Sequence, residues 1–232
     1  MAKKEFSNED FTSLPGDEAG FDAAPVKSSK LAGFLGKLFA VTKFVLGLLL
    51  LPFVYSITVS FLKELPAISD PLVNTFWAGV ISIVLVYLFV WEPAVLYSKG
   101  QGVVAILFMF LKPLVKVAPY LLPIYTIIVC LVYWFISLFN KDLIGYFIFL
   151  FGFTLGMHLI FSAKSLRGKK GDFLKGNYIF GFSFVYILNV AMAAFFLNLV
   201  FEKYSFVGFA DHAYLIASNI FQAVFTQLFA VK

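Results

Sequence analysis

The sequence predicts an all-α, polytopic membrane protein with five to six transmembrane helices and additional interfacial helices. Three observations predict this class. The 232-residue chain is 61% hydrophobic and only 13% charged, with a mean hydropathy of +0.92. Several apolar stretches reach the roughly 20 residues that a helix needs to cross a bilayer. The lysines and arginines between these stretches fall mostly on alternate sides. A soluble domain usually carries about 25% charged residues, so this composition argues against one.

Five stretches have the length and apolarity of a membrane span, and a sixth has the length but is more polar. They are residues 44–62, 72–91, 120–139, 143–162 and 177–201, followed by residues 213–231. The sixth stretch groups uncharged polar residues on one side: Ser218, Asn219, Gln222, Thr226 and Gln227. Such a helix either spans with its polar stripe packed inward or lies on the outer surface. We favour a span, because it returns the chain end to the cytoplasm.

The N-terminal part differs in composition from the rest. Residues 1–28 mix six acidic residues with Ser, Gly and Pro and show no apolar period, which predicts a disordered cytoplasmic tail. The membrane domain is expected over residues 29–232. Its first part, residues 29–43, places leucines and phenylalanines at helical spacing opposite Lys30 and Lys37. This pattern predicts an interfacial helix or a cytoplasmic extension of the first span.

The middle of the chain is apolar but interrupted by prolines and lysines. Residues 103–117 are too short and too charged to cross a bilayer, so they are predicted to lie along the cytoplasmic interface or to dip in and return. Lys112 and Lys116 would then reach the headgroups. Pro123 stands one turn into the next span, where a neighbouring helix or water must satisfy the freed carbonyl. This region is therefore the predicted internal cavity.

The positive charges predict the orientation. Fifteen of the 18 lysines and arginines fall on the side of the N-terminus, and only Lys63, Lys141 and Lys203 fall on the other. Because positive residues stay in the cytoplasm, the N-terminus is expected there, with the protein in an inner (plasma) membrane. The same charges explain the pI of about 9.1, so no nucleic-acid partner is expected. Membrane lipids are the expected partners, and other membrane proteins or a homo-oligomer are further candidates.

Three stretches carry a resemblance to a known family. The stretch WEPAVLYSKGQGVVAILF (91–108) resembles the segment in which a bacterial branch of the site-2 proteases carries its H-E-x-x-H helix. The stretch VKVAPYLLPIYTIIVCLVY (115–133) is similar to an Ala-Pro-Tyr…Pro-x-Tyr-Thr segment of those proteins. The stretch FGFTLGMHLIFSAKSLRGKKGDFLKGNYIFGF (151–182) resembles the later span and loop that end in an aspartate ligand. This family consists of intramembrane zinc metallopeptidases, and the resemblance covers about half of the chain.

The chain departs from that family at the metal site. Two histidines one helical turn apart and an intervening glutamate carry the zinc chemistry, but the matching positions hold Gln101, Gly102 and Ala105. Of the metal set only Asp172 matches, whereas a catalytic zinc needs three protein ligands. The resemblance therefore implies a pseudoprotease with no metal, no cofactor and no catalytic residues.

Four polar residues are candidate binding residues: Gln101, His158, Asp172 and Asn189. His158 lies late in the fourth span, where a titratable side chain suggests a proton relay or a ligand contact. The alternative is an interhelical hydrogen bond, which averages about 0.6 kcal/mol in membranes and is the commoner role. Asn189, in the fifth span, could pair with His158 or with Thr154.

Two further groups of residues have structural or topological interpretations. Gly152 and Gly156 form a small-xxx-small face, which allows a close approach within the monomer or between two copies. The loop after the fourth span is basic, which suits a topology determinant and, less often, a site for anionic lipid or a partner. Its charges are Arg167, Lys169, Lys170 and Lys175.

These features predict a non-catalytic integral membrane protein, either a membrane-complex subunit or a client-binding protein. A small transporter or channel is the alternative, favoured by the prolines of the central run and the polar residues in spans. No inverted repeat is visible, which disfavours it. An active enzyme, such as an intramembrane peptidase, is the third possibility. The sequence shows no nucleophile–base pair or carboxylate pair at mechanistic spacing.

Overall fold

The computed structural model describes residues 30–90, 94–109, 118–140, 142–167, 174 and 177–229. Regular structure within these residues is entirely helical, which confirms the predicted all-α class. The helices are α1 (Lys30–Glu64), α2 (Asp70–Leu85), α3 (Ala94–Leu107), α4 (Ala118–Leu121), α5 (Ile124–Ser137), α6 (Ile144–Leu166), α7 (Tyr178–Val200) and α8 (Phe206–Phe229). A 3₁₀ turn at Leu65–Ala67 follows α1, and a π-helical turn at Val86–Val90 continues α2. The predicted tail, residues 1–28, lies outside the described residues.

Two compact units divide the chain between Leu38 and Phe39. The described residues of the first unit are the first turns of α1, and all contacts discussed below lie within the second unit, residues 39–232. The described part of the predicted interfacial segment, residues 30–43, shares one helix, α1, with the predicted first span and so extends it; its cytoplasmic location stays a prediction.

Four helical segments are long and apolar enough to cross a membrane. They are Phe34–Ala67, Asp70–Phe89, Ile144–Leu166 and Tyr178–Val200. These segments correspond to the predicted first, second, fourth and fifth spans. Large apolar side chains cover their outward surfaces, and Phe89 for example is 79% exposed. A surface of this kind suits hydrocarbon rather than water, so the helices fit a membrane protein.

The predicted third span, residues 120–139, is divided. Helix α4 ends at Leu121 and α5 begins at Ile124, because Pro123 has no N–H to continue the helical hydrogen bonds. Helix α5 has 14 residues and is about 21 Å long, which is shorter than a hydrocarbon core of about 30 Å. Helix α5 is therefore too short to cross a hydrocarbon core by itself.

The predicted interfacial segment 103–117 differs from the observed helix boundaries. Helix α3 begins at Ala94, nine residues before the predicted start, and ends at Leu107. Positions 110–117 lie outside the described residues. Helix α3 is 14 residues long and places Tyr97, Gly100 and Val104 on its buried side.

Helix α6 lies at the centre of the second unit and packs against α2, α5 and α7. A Cβ atom on Gly152 would lie 2.4 Å from the carbonyl oxygen of Phe76, and one on Gly156 would lie 2.9 Å from Cγ2 of Ile83. Opposite them, a Cβ atom on Gly79 of α2 would lie 2.1 Å from the carbonyl oxygen of Phe149. The small-xxx-small face of α6 is thus occupied by α2 of the same chain.

Helix α8 runs antiparallel to α1. Near its start, His212 Nδ1 lies 3.0 Å from Glu64 Oε1 and His212 Nε2 lies 3.0 Å from Lys63 Nζ. Nine residues later, the ring of Phe221 lies 5.4 Å from that of Phe53, which is about ten residues back along α1. Helix α8 is 24 residues long but is not among the four segments that are apolar enough to cross a membrane, so the span proposed for residues 213–231 stays a prediction. The helix begins at Phe206, earlier than predicted.

The close contact between α2 and α6 gives a first prediction. Replacing Gly152 with alanine forces the two backbones apart, so we expect the free energy of unfolding to fall by about 1–3 kcal/mol. Gly145, on the same helix, has nothing within 4 Å of an added Cβ and is the matched control. Gly145→Ala should leave stability unchanged or raise it by up to about 1 kcal/mol. Unfolding by SDS titration in detergent micelles measures both, and equal losses in the two variants would contradict the packing described.

Candidate functional site

The break between α4 and α5 releases backbone groups inside the helix bundle. In a continuous helix the N–H of Ile124 would donate to the carbonyl of Tyr120, but here it donates to the carbonyl of Leu122 at 2.9 Å. Leu121 is the last residue of α4, so its carbonyl is also one of the terminal acceptors of that helix. Side chains from neighbouring helices donate hydrogen bonds to these two carbonyls.

Helix α6 supplies two side chains to the carbonyl of Tyr120. His158 Nε2 lies 3.1 Å from this oxygen, and Ser162 Oγ lies 3.4 Å from it. A carbonyl only accepts hydrogen bonds, so His158 donates through Nε2 and carries its hydrogen there. Ser162 stands one helical turn after His158, with 3.3 Å between Ser162 Oγ and His158 Nε2.

Helix α3 adds a second layer of polar groups. The hydroxyl of Tyr97 lies 3.1 Å from Ser162 Oγ, and Gln101 Nε2 donates to the Tyr97 hydroxyl at 3.1 Å. The ring of Tyr97 stacks on Phe161 at 5.2 Å and lies 5.9 Å from the ring of His158. Burial is the main cause that raises the pKa of Tyr97 to about 12, which keeps its hydroxyl protonated and able to donate.

Helix α3 is fixed against α5 by a small residue and a tyrosine. The hydroxyl of Tyr125 donates to the carbonyl of Leu96. A Cβ atom on Gly100 would lie 2.6 Å from the Tyr125 ring, so only a glycine allows this approach. The contact holds Tyr97 and Gln101 at the level of the break.

Helix α7 binds the other carbonyl. Asn189 is fully buried, and its Nδ2 donates to the carbonyl of Leu121 at 3.2 Å and to that of Val185 at 2.8 Å. Its Oδ1 has no hydrogen-bond partner among the described residues. The expected pairing of Asn189 with His158 or Thr154 is not observed, because Thr154 instead accepts a hydrogen bond from Thr126 at 3.1 Å.

We call this group the helix-break cluster. It comprises the side chains of Tyr97, Gln101, His158, Ser162 and Asn189 with the carbonyls of Tyr120 and Leu121. Its donors run in one direction: Gln101 to Tyr97, Tyr97 to Ser162, and Ser162 to the Tyr120 carbonyl. Ser162 is fully buried and His158 is 5% exposed, whereas Gln101 is only partly buried, so the inner part of the cluster is closed to solvent. Its side chains provide hydrogen bonds to the carbonyls that the helix break leaves without helical partners.

Three of the four candidate binding residues meet in this cluster: Gln101, His158 and Asn189. Asp172 lies outside the described residues, as do Lys169, Lys170 and Lys175 of the basic loop. Arg167 is described, and its guanidinium lies 5.7 Å from the ring centre of Tyr178. This distance fits a cation–π contact at the start of α7.

Sequence reasoning did not identify Tyr97 and Ser162 as members of the site. Ser162 follows His158 by four residues in an apolar helix, and this spacing is a signal that two polar groups share one face. Tyr97 carries no such signal, since tyrosine is common in membrane helices and its partners lie on other elements. The prediction that a neighbouring helix supplies donors to the backbone near Pro123 agrees with the hydrogen bonds from His158 and Asn189.

The described residues provide few side chains that could bind a metal ion. Within the described ranges, no three His, Cys, Asp or Glu residues lie close enough to hold one. Ser162 and His158 are close enough for a nucleophile and a base, but a reactive serine also needs a group that orients the histidine and access for substrate. The described neighbours of His158 include no carboxylate.

A cavity of about 590 Å³ lies apart from this cluster, between α5 and α7. Its lining is apolar and aromatic, and its polar side chains are a thiol, a phenol and a serine hydroxyl. The serine, Ser137, donates to the carbonyl of Trp134 at 2.8 Å. The lining residues are Cys130, Leu131, Tyr133, Trp134, Ser137, Ile144, Phe196, Leu199 and Val200. This set includes no acid–base pair.

No known protein family, characterised protein or solved structure shows a significant match to this chain. The function is therefore inferred from the geometry of the site and from the sequence.

The support given by Asn189 to the break can be measured by a double-mutant cycle. Asn189→Leu removes the donor to the buried Leu121 carbonyl, so we expect the free energy of unfolding to fall by about 1–3 kcal/mol. Pro123→Ala restores an N–H and allows the helix to satisfy its own carbonyls. In that background the cost of Asn189→Leu should drop below about 0.5 kcal/mol. The same cost in both backgrounds, measured by SDS titration, would show that Asn189 does not serve the break.

Proposed function

We propose that this chain is a non-catalytic integral membrane protein that acts as a membrane-complex subunit or client-binding protein. Its frame, in this proposal, resembles that of an intramembrane protease that has lost its metal site. The observation that carries the proposal is the use of the polar residues in the helix-break cluster. His158, Ser162 and Asn189 bind carbonyls of the interrupted helix, and Gln101 and Tyr97 support Ser162.

The arrangement of α3 supports the loss of a metal site. The resemblance places zinc-binding histidines at positions 101 and 105, which are one turn apart on α3. Gln101 instead donates its amide to Tyr97, and Ala105 offers no ligand. Gly102, at the position of the catalytic glutamate, has no side chain that could take a proton from water.

The proposed location is an inner (plasma) membrane with the N-terminus in the cytoplasm. The support is the charge distribution, because 15 of the 18 lysines and arginines then face the cytoplasm. Lys63 lies in the last turn of α1 beside the first turns of α8, and Lys203 lies in the connection from α7 to α8. Both lysines lie at one end of the bundle, and the proposal assigns that end to the outside of the membrane.

A small transporter or channel is the second candidate. The row of hydrogen bonds from Gln101 through Tyr97 and Ser162 is the feature that favours it. This row ends on the Tyr120 carbonyl, to which His158 Nε2 also donates, and a carbonyl accepts hydrogen bonds but cannot take up and pass on a proton at ordinary pH. The geometry therefore favours support of the helix break over proton transfer.

Metal content tests the proposed function directly. The protein purified without chelator should contain far less than stoichiometric zinc and should not cleave unfolded membrane substrates. Stoichiometric zinc together with turnover would refute the proposal.

The resemblance has a separate test by ligand grafting. The triple variant Gln101→His, Gly102→Glu, Ala105→His should acquire stoichiometric zinc, because it restores the two histidines on one face of α3. Adding Asp172→Ala should weaken zinc binding at least tenfold if Asp172 is the third ligand. Zinc affinity that is indifferent to Asp172 would contradict the resemblance at this site.

Flux measurements separate the two candidate functions. Liposomes with the wild-type protein should show the same proton and ion flux as protein-free liposomes. His158→Ala should therefore leave flux unchanged while lowering stability, because it removes a donor to the Tyr120 carbonyl. A wild-type flux that falls in His158→Ala would instead favour the transporter.

A further inference from the structure

The outward side of α8 carries a regular row of exposed residues. Their spacing alternates between four and three residues, which is the spacing of the a and d positions of a heptad repeat. The row consists of Leu215, Asn219, Gln222, Thr226 and Phe229. All five side chains are exposed in the single chain. We call this row the α8 seam.

The polar part of the α8 seam lies at mid-depth of the bundle. Phe221 packs against Phe53, which lies near the middle of the membrane-length segment Phe34–Ala67. Asn219 and Gln222 flank Phe221, so their amides lie at about the same level. Neither side chain has a hydrogen-bond partner among the described residues. With α8 as a span, as predicted for residues 213–231, hydrocarbon offers none, so these amides are costly to leave facing lipid.

We propose that the α8 seam binds the α8 seam of a second copy of this chain, forming a parallel homodimer through paired amides. This inference rests on the proposed function as a membrane-complex subunit and names one partner within it. The helices would cross as a left-handed pair, because a spacing of 3.5 residues keeps such a seam in contact only in that supercoil.

The chemistry of the seam favours an identical partner. Two copies inserted with the same orientation are related by a twofold axis along the membrane normal, so their α8 helices are parallel and equal positions meet. An amide both donates and accepts, so Asn219 can pair with the partner's Asn219, and Gln222 with the partner's Gln222. A single asparagine in such a seam is also known to fix register and two-stranded association.

The ends of the seam fit the same arrangement. Leu215 and Phe229 are apolar and 55% and 69% exposed, so they would close the interface above and below the amides. The seam has no charged residue between these ends, whereas a partner of opposite charge would require one. Two identical uncharged surfaces are therefore complementary as they stand.

Cysteine cross-linking of the full-length chain in liposomes tests the contact itself. Leu215→Cys and Thr226→Cys, which both keep the two amides, should each form a disulfide-linked dimer on mild oxidation. Val224→Cys is the matched control, because Val224 is 44% exposed but lies about 140° around the same helix from Asn219. The native Cys130 is buried, so the wild-type chain gives the baseline. Equal cross-linking at position 224 would overturn the inference.

Energy transfer between labelled copies, measured against protein-to-lipid ratio, tests the amides. The double variant Asn219→Leu, Gln222→Leu should weaken dimerisation at least tenfold, whereas Val224→Leu should leave it unchanged. The thermal unfolding midpoint of each variant checks that it folds. Cross-linking at position 226 in an otherwise wild-type chain remains informative if the double variant does not fold.

The outcomes separate this inference from the proposed function. A wild-type chain that stays monomeric at every protein-to-lipid ratio overturns the homodimer. If it also co-purifies with a different membrane protein that the double variant loses, the proposed function is retained and the partner is corrected. A monomer that holds stoichiometric zinc and cleaves substrate overturns both.

Discussion

The structure depends on one constraint, which is that backbone polar groups inside a bilayer must find partners within the protein. The interruption at Pro123 is where this constraint acts most strongly, because the carbonyls of Tyr120 and Leu121 lose their place in a regular helix. Side chains from α6 and α7 replace the missing donors. Residues that resemble a reactive centre by type, a histidine beside a serine, therefore have a structural role as their best explanation.

Helix α6 connects this polar layer to the apolar packing of the bundle. Its glycine face allows α2 to approach so closely that Gly152 lies against the carbonyl of Phe76. Its other side carries His158 and Ser162 to the break. One helix thus provides close van der Waals packing on one face and hydrogen bonds on another, which are the two main forces that hold membrane helices together. The same reasoning underlies the proposed pairing of the exposed amides of α8 with those of a second copy.

Much of the fold could be predicted from the sequence because helix formation and apolarity depend on residues that are close together along the chain. Apolar runs of about 20 residues identified the four long helices, and the greater polarity of residues 213–231 set α8 apart from them. Pro123 indicated the need for a neighbouring donor, but not that the predicted span of residues 120–139 would be divided there. The start of α3 at Ala94 was not predicted, although Glu92 and Pro93 stand directly before it in the sequence and a proline is common at a helix start.

The sequence by itself determined which segments are helical and membrane-like, and that Gln101, His158 and Asn189 were polar groups requiring partners. Only the tertiary structure decided which partners they have: Asn189 binds the Leu121 carbonyl rather than His158 or Thr154, and Tyr97 joins Gln101 to Ser162. The tertiary structure also set α8 antiparallel to α1. The physical reason is that helix formation follows from nearby residues, whereas hydrogen bonds between helices depend on rotation and register, which are fixed by the packing of the whole bundle.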